Sequence, residues 1–474
     1  MKLYCLIALV LLAPATATAS EGRNVLFIAI DDLNDWLGCY GGHPQVKTPH
    51  IDALAKRGTT FTNAHCQAPI CNPSRVSMLT GQLPSTTGMY FLGPNFRTVE
   101  PTRSAETLFQ TFRRQGYYLS TCGKIFHGKA DPASFDFIQP NAGWRRGAEK
   151  LRYKVKGSHP LWDWGQVDVP DEQQRDYLTA DWAAKQLPGL AAADKPFFLA
   201  IGFHLPHVPI YASQKWFDLY PLDDVQLPPT YTLDRDDLPE IAKQLTLNPT
   251  APRHQWMVEN DEWRHAVRAY LAANSFVDHL VGMVLDGLES SGAADNTIVV
   301  LWSDHGFHLG EKLRWAKRTL WEETTRVPLV FAGPGIGKAV KCSRPVGLID
   351  VYPTLLEACG LPPREVLEGE SLVRLLKDPD AEWERPALCT FGPNNHSLRS
   401  ERWRYTVYAD GSEELYDHKS DPNEWQNLAA NQAKLTPEHA AVIKQLRRWL
   451  PNTNADPVPR SAGSDSPLYG EGNV

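Results

Sequence analysis

Cys71 opens a string, Cys71-Asn72-Pro73-Ser74-Arg75 running on to Leu79-Thr80-Gly81, in which a thiol stands at the expected start of a helix that Gly81 stops. Backbone N–H groups and the dipole at such an end favour negative charge, and Arg75, one turn on along the same face, adds a fixed cation. A lone cysteine is better explained by burial than by reactivity. Reactive residue types recur at five further places. Asp31-Asp32 and Asp304-His305 each follow an apolar run. Three carboxylates and an imidazole brought together would form an oxygen-rich cage for a hard divalent cation, although each Asp alone would serve equally as a helix cap. Lys124 and His127 follow Gly123, His204 and His207 sit among prolines in His204-Leu205-Pro206-His207-Val208-Pro209, and Lys317 lies two residues after Trp315. Singly these are a solvated lysine, a rigid turn and a charged run. The short strand through Gly123 would aim a cation and a titratable ring, Lys124 and His127, at one place.

The elements that must hold these residues are legible as continuous apolar runs. Residues 24–30, 195–203 and 297–302 lack alternation and predict strands buried on both faces, as in a parallel sheet covered by helices. A short strand leads to Gly123. Neighbouring carboxylates on a straight strand point to opposite faces, so Asp31 and Asp32 can serve one ion only where the strand ends and the chain turns. That carboxyl end is where open α/β sheets bind ligands. Residues 262–289 carry an apolar stripe at helical spacing, expected as core packing. A helix is expected after Asp350. Two strands meeting at Asp410-Gly411, with a helix around 436–450, predict a small antiparallel unit near the C-terminus. The fold class is therefore α/β: a large mixed sheet flanked by helices, with a smaller C-terminal antiparallel sheet plus helix.

The 474 residues are 42% hydrophobic and 22% charged with a net charge of −7, an ordinary globular balance with no basic excess to hold nucleic acid. Lys2, the apolar run over 3–12 and the small residues ending Ala17-Thr18-Ala19 predict a signal peptide over 1–19, too short to persist as a membrane helix. The expected protein is exported, periplasmic or secreted, and free of the membrane after cleavage. A catalytic domain over 20–380, a C-terminal subdomain over 381–450 and a mobile tail over 451–474 are expected. Export permits disulfides among Cys39, Cys66, Cys122, Cys342, Cys359 and Cys389, but spacing does not give their pairing.

The Cys-x-Pro-Ser-Arg string with its Leu-Thr-Gly resembles the signature of the type I sulfatases, and Gly116-Tyr117 followed by Gly123-Lys124 and His127 resembles their second string. With Asp31-Asp32, the His207 loop, Asp304-His305, Trp315-Ala316-Lys317 and the late Asp421-Pro422-Asn423-Glu424, the motifs cover residues 24 to about 430 in the family's order. They are most similar to the iduronate-2-sulfatase-like branch. The resemblance implies an alkaline phosphatase-like fold and hydrolysis of sulfate monoesters on a sulfated glycan, such as a 2-O-sulfated uronate or a related polysaccharide sulfate. It implies that a formylglycine-generating maturation enzyme oxidises Cys71 to formylglycine (3-oxoalanine), whose hydrate is the nucleophile. One calcium ion falls to Asp31, Asp32, Asp304 and His305, the last at a place where the family more often has Asn. Arg75, Lys124 and Lys317 are implied to hold the sulfate charge, His127 to assist the nucleophile's hydroxyls and His207 to protonate the leaving group, with His204 in support. Substrate walls are expected from residues 84–100, 140–170 and 210–260. Of the 15 tryptophans, Trp144, Trp162, Trp164, Trp315 and Trp321 fall in stretches near the expected pocket mouth, where they would face sugar rings, although most tryptophans are expected in the core.

Two other readings stay open. One is a phosphoester or phosphonate hydrolase of the alkaline phosphatase superfamily; a phosphatase would be expected to use Ser or Thr with two metals, whereas this chain offers one clear site. The other is a glycan-binding homologue that has lost catalysis, which would have no need of the oxidisable cysteine motif.

Overall fold

The computed structural model describes residues 22–147, 149–248 and 250–459; the expected signal peptide and the chain from 460 onward lie outside them. The eight strands of the main sheet are, in chain order, β1 (Asn24–Asp31), β2 (Gly58–Phe61), β3 (Tyr118–Gly123), β4 (Phe137–Ile138), β5 (Phe197–Pro206), β6 (Thr297–Ser303), β7 (Leu329–Ala332) and β8 (Val340–Cys342). They lie side by side as β8-β2-β7-β6-β1-β5-β3-β4. β1, β3, β5 and β6 run parallel, whereas β7 is antiparallel to both β6 and β2, so the sheet is mixed. Every residue of β1 is buried, with Val25, Phe27 and Ala29 in one core and Leu26, Ile28 and Ile30 in the other. Two covered faces are why the run is continuous rather than alternating.

Helices packed on the two sheets include α1 (Cys71–Thr80), α2 (Arg175–Ala191), α3 (Trp263–Ser290), α4 (Val351–Ala358) and, near the far end of the described chain, α5 (Pro437–Leu446). α1 and α4 cover the Phe27 face through Met78, Leu79 and Leu355. α2 and α3 cover the Ile28 face through Ala183, Leu187, Phe276 and Leu280, so the stripe on α3 is core packing. No helix among the described residues is long and apolar enough to cross a membrane.

A second, antiparallel sheet follows: β9 (Ala387–Thr390), β10 (His396–Arg399), β11 (Trp403–Val407) and β12 (Glu413–Asp417). The β11–β12 turn passes through Gly411 at φ 84°, a conformation that glycine adopts without cost. α5 packs Ile443 and Leu446 against Leu398, Tyr405 and Leu415 of this sheet. The chain from 451 to 459 runs back over the large domain, where Ala455 N–H donates to the Ser85 carbonyl at 2.8 Å and Val458 N–H to that of Gly88 at 3.1 Å. Among the described residues the cysteines are free thiols; Cys66 and Cys389, from the two units, approach to 3.9 Å between sulfurs.

Candidate active site

The carboxyl ends of β1 and β6 carry the acids. β1 ends at Asp31, its pairing with β5 slips between Ile30 and Asp31, and Asp32 takes a left-handed φ of 61°. This turn lets two adjacent carboxylates serve one place, at a backbone cost of about 1–3 kcal/mol for a residue other than glycine. β6 delivers Asp304 and His305. Asp32 N–H donates to Asp304 Oδ1 at 3.2 Å and Leu33 N–H to Ser303 Oγ at 3.0 Å, which ties the two strand ends together.

Arg75, one turn into α1, is the clamp. Its Nε donates to Asp304 Oδ2 at 2.7 Å, its Nη2 to Asp31 Oδ1 at 3.3 Å, and its Nη1 to the carbonyls of Lys124 and Ile125. A planar guanidinium with fixed donors suits four acceptors from three elements. The Lys124 carbonyl can come so close because β3 and β5 meet at glycines. A Cβ on Gly202 would lie 2.1 Å from the Lys124 oxygen, and one on Gly123 would lie 1.9 Å from the Gly202 oxygen.

Cys71 Sγ lies 3.1 Å from Lys317 Nζ, 3.2 Å from His305 Nε2, 3.8 Å from Lys124 Nζ and 3.9 Å from Asp32 Oδ1. Lys317 Nζ also pairs with Asp32 Oδ1 at 2.6 Å, and Lys124 Nζ with Asp31 Oδ2. Lys317 is aimed by its neighbours, Ala316 at φ 71° and Arg318 at φ 79°, both in the left-handed region. His305 Nδ1 lies 2.9 Å from the Gly306 carbonyl and His207 Nδ1 2.6 Å from that of Val208. A carbonyl only accepts, so each Nδ1 carries the hydrogen and each neutral ring keeps its Nε2 lone pair for the site. His207 Nε2 is 4.0 Å from Asp32 Oδ2. His127 lines the same cavity as Lys124 and His207.

The charges act on one another strongly. Burial alone would raise Asp31, but Lys124, with help from Arg75 and Lys317, holds it well below the usual carboxylate range. Burial would lower Lys317, yet Asp32 carries it above the ordinary lysine range. Burial lowers His127 to about 4, with the Lys124 charge adding to the effect, and holds His207 well below its usual value. The expectation that a helix end and Arg75 would favour a Cys71 thiolate fails, because burial pushes the thiol up and the two lysines only partly oppose it. Arg75 is meanwhile engaged by Asp304 and Asp31.

Asp31, Asp32, Cys71 and His305 each offer a donor atom within 4.8 Å of the others. Asp304 stands beside them, with Oδ1 3.7 Å from His305 Nε2 and Oδ2 held by Arg75. Asp32 Oδ2 is buried with no hydrogen-bond partner among the described residues. A buried carboxylate oxygen left unpaired within an oxygen-rich set fits a hard cation.

Cys71, Arg75, Lys124, His127, His207 and Lys317 thus lie around one place with Asp31, Asp32, Asp304 and His305, but the surroundings differ from expectation. A cavity of about 860 Å³ opens onto Asp31, Lys124, His127 and His207. Its walls draw on residues 92–95, 141–145 and 159–161, while the stretch 210–260 supplies only Tyr211. The start of α2, with Arg175 and Asp176, is a wall that no local sequence signal announced. Of the five tryptophans expected near the mouth, Trp144 lines the cavity, whereas Trp162, Trp164, Trp315 and Trp321 are packed in the cores, where an indole buries the most apolar surface. Lys312 is a structural lysine, paired with Asp234 at 2.7 Å and lying over the rings of Trp321 and Tyr416.

Residues 23–361 match the family model described as Sulfatase, and residues 310–456 match that of the N-sulphoglucosamine sulphohydrolase C-terminal region. A sulfatase of Formosa agariphila is 40% identical over 447 residues, covering 91% of this chain and 87% of its own. The iduronate 2-sulfatase of Mus musculus is 29% identical, covering 91% and 94%. The solved structure of the phosphonate monoester hydrolase of Agrobacterium radiobacter superposes with a TM-score of 0.72 at 22% identity, covering 90% of this chain and 94% of that one, a likeness that speaks for the fold alone. The family match spans most of the chain and the clustered Cys71, lysines and carboxylates lie inside it: this protein belongs to the sulfatase family, the hydrolases of sulfate esters.

Proposed function

We propose that the protein removes sulfate from a sulfated glycan, using formylglycine made from Cys71 and one calcium ion held by Asp31, Asp32, Asp304 and His305. The observation that carries this reading is the position of Cys71 Sγ, within 4 Å of two lysines, an imidazole and Asp32 Oδ1, beside a cavity that opens onto Asp31, Lys124 and His207. Formylglycine supplies a hydrated aldehyde, a better oxygen nucleophile than a buried thiol and one that can regenerate itself. Calcium supplies a hard positive centre for the charge that gathers on the sulfate oxygens.

The chain's own groups do the rest. Lys124 and Lys317 are compact ammonium donors that can turn from Asp31 and Asp32 toward a sulfate, stabilising its oxygens as the S–O bond breaks. Arg75 fixes Asp31 and Asp304 and so acts as a positioning residue. His207 presents Nε2 to the cavity, where a ring that has picked up a proton delivers it to the departing sugar oxygen. His127 takes a proton from the nucleophile's second hydroxyl. The similarity to iduronate 2-sulfatase supports a glycan, with a 2-O-sulfated uronate as one candidate. The apolar run and small-residue stretch over 1–19 support export, and the converted Cys71 requires a formylglycine-generating enzyme as partner. We assign the catalytic domain to 20–380 and the smaller subdomain to 381–450.

The test is mass spectrometry of the Cys71 peptide from the native host alongside sulfate release from 2-O-, 4-O- and 6-O-sulfated oligosaccharides. The expected result is a loss of about 18 Da at Cys71, as thiol gives way to aldehyde, with release from one class. An active preparation with Cys71 unmodified overturns the nucleophile; faster hydrolysis of phosphonate than of sulfate esters overturns the sulfate reading.

A further inference from the structure

One wall of the cavity carries charge that the sulfate chemistry does not use. Besides Lys124, the lining includes Lys129, Arg145 and Arg175, and only one carboxylate other than Asp31, that of Asp176. Asp176 is already engaged: its Oδ2 accepts the backbone N–H groups of His204 and Leu205, each at 2.8 Å, and its Oδ1 lies 3.2 Å from His204 Nδ1. Neither Arg145 nor Arg175 forms an ion pair among the described residues, and neither bonds to Asp31, Cys71, Lys124 or Lys317.

The two arginines are neighbours for a backbone reason. Trp144 and Gln174 form an isolated parallel bridge, with Trp144 N–H donating to the Gln173 carbonyl at 2.7 Å and Arg175 N–H to that of Trp144 at 3.0 Å. The next residue on each side is an arginine. Burial first, and then Arg145, against the opposing charge of Asp176, pull the Arg175 guanidinium below its ordinary range, and burial with Arg146 does the same to Arg145. Arg175 is also aimed. Its Nη1 donates to His204 Nε2 at 2.6 Å, and that ring is held through Nδ1 by Asp176, leaving the rest of the guanidinium fork without an acceptor among the described residues. Beside the pair, the rings of Trp144 and Tyr211 stand 6.0 Å apart and tilted by 35°, both on the cavity, an apolar face of the kind a sugar ring covers. Two guanidiniums with no ion-pair partner among the described residues, beside an aromatic step, suit an oxyanion carried on a pyranose.

We propose that Arg145 and Arg175 form a second anion subsite, which selects substrates carrying a carboxylate or a further sulfate on the sugar that bears the scissile sulfate or on its neighbour. His204 and Asp176 are positioning residues for it. This rests on the sulfatase reading and narrows it to polyanionic glycans.

The test compares wild type, R145Q, R175Q, R175K and the double R145Q/R175Q on 4-nitrophenyl sulfate, a 2-O-sulfated uronate disaccharide, its carboxyl-reduced counterpart and a disulfated neutral disaccharide. The same sugars serve as inhibitors of nitrophenyl sulfate hydrolysis, so one that binds without being cut still reports. Wild type is expected to prefer, or be inhibited more tightly by, the sugar with a second anion. In the double variant that preference over the matched sugar falls about tenfold to a hundredfold, mainly in KM or Ki, as for lost charge-assisted hydrogen bonds. R175K, which keeps the charge and loses the fork, falls between. The uronate and disulfated arms tell carboxylate from sulfate. Equal treatment of the anionic and reduced sugars by wild type, or equal losses on all substrates in the double variant, overturns the subsite. Failure of the converted enzyme to release sulfate from any of them removes the sulfatase reading itself, a different outcome.

Discussion

Around Asp32 and around Glu322 the chain buries acids, cations and a histidine together, and the two clusters differ in what is left over. At the seam between the large domain and the C-terminal sheet, Glu322 receives Arg399 at 3.0 Å and Arg404, while Glu424 receives Arg404, His418 at 2.8 Å and the Glu322 N–H at 2.9 Å. The remaining Arg404 donors reach Leu320, Ser397 and Thr325. Glu322, His418 and Glu424 have the spacing of a metal group, but each carboxylate there faces a guanidinium. In the active-site cluster the guanidinium of Arg75 locks only the rear, and the front is made of two lysines and an Asp32 oxygen with no partner. Guanidinium forks saturate acids and fix structure, whereas ammonium groups beside an unpaired oxygen can be redirected to a ligand.

The largest break in this comparison comes from Cys71. Cys71→Ser keeps the size and burial of the side chain but removes the thiol on which the proposed conversion to the aldehyde acts. Turnover of sulfate esters is expected to fall about a thousandfold or more, with the melting temperature close to wild type. A serine variant at wild-type rate would show that the cluster's chemistry does not run through this residue.

At the saturated cluster the loss should be one of stability. Arg404→Leu leaves Glu322 and Glu424 short of their partner, and breaking a buried pair costs about 3–5 kcal/mol. Urea unfolding is expected to shift by that amount while the folded enzyme retains its kcat; an unshifted midpoint would mean that the network is not holding the two units together. Lys317→Met is the converse. It leaves the seam intact and should lower kcat/KM about a hundredfold to a thousandfold, the range for removing one donor to developing charge, whereas a purely structural lysine would move stability and leave kcat/KM alone.

The difference between the clusters also marks what the sequence could reveal. Asp31-Asp32, Asp304-His305 and Cys71 were legible because strand ends and a helix start are local events, and the convergence of the two acids followed from the strand ending there. The left-handed turns at Ala316 and Arg318 were not legible, since neither residue type signals positive φ, although they aim Lys317. Arg145 and Arg175 were missed because a single bridge between segments about thirty residues apart brings them together. Trp315 was misplaced for the opposite reason. It lies two residues from Lys317, yet its ring packs into a core with Phe307 and Leu309 while the lysine turns to the acids.

The seam should also answer to acid. Burial would raise Glu424, but Arg404 and then His418 overcome it and hold the carboxyl at about 2, against an ordinary value of 4.5. A carboxyl depressed in the folded state contributes stability above its unfolded value and loses it as pH falls toward the folded one. Between pH 4.5 and 2 the wild type should therefore lose about 1–3 kcal/mol through this group, read as a falling urea midpoint. Asp31 and the second seam acid, Glu322, titrate in the same direction, so the slope alone does not identify Glu424. Glu424→Gln separates them: it should be less stable at pH 6, because Arg404 loses a charged acceptor, and should descend less steeply below pH 4.5. If the variant's slope equals that of wild type, Glu424 does not carry the acid sensitivity, which then belongs to Glu322 or to Asp31 and its neighbours.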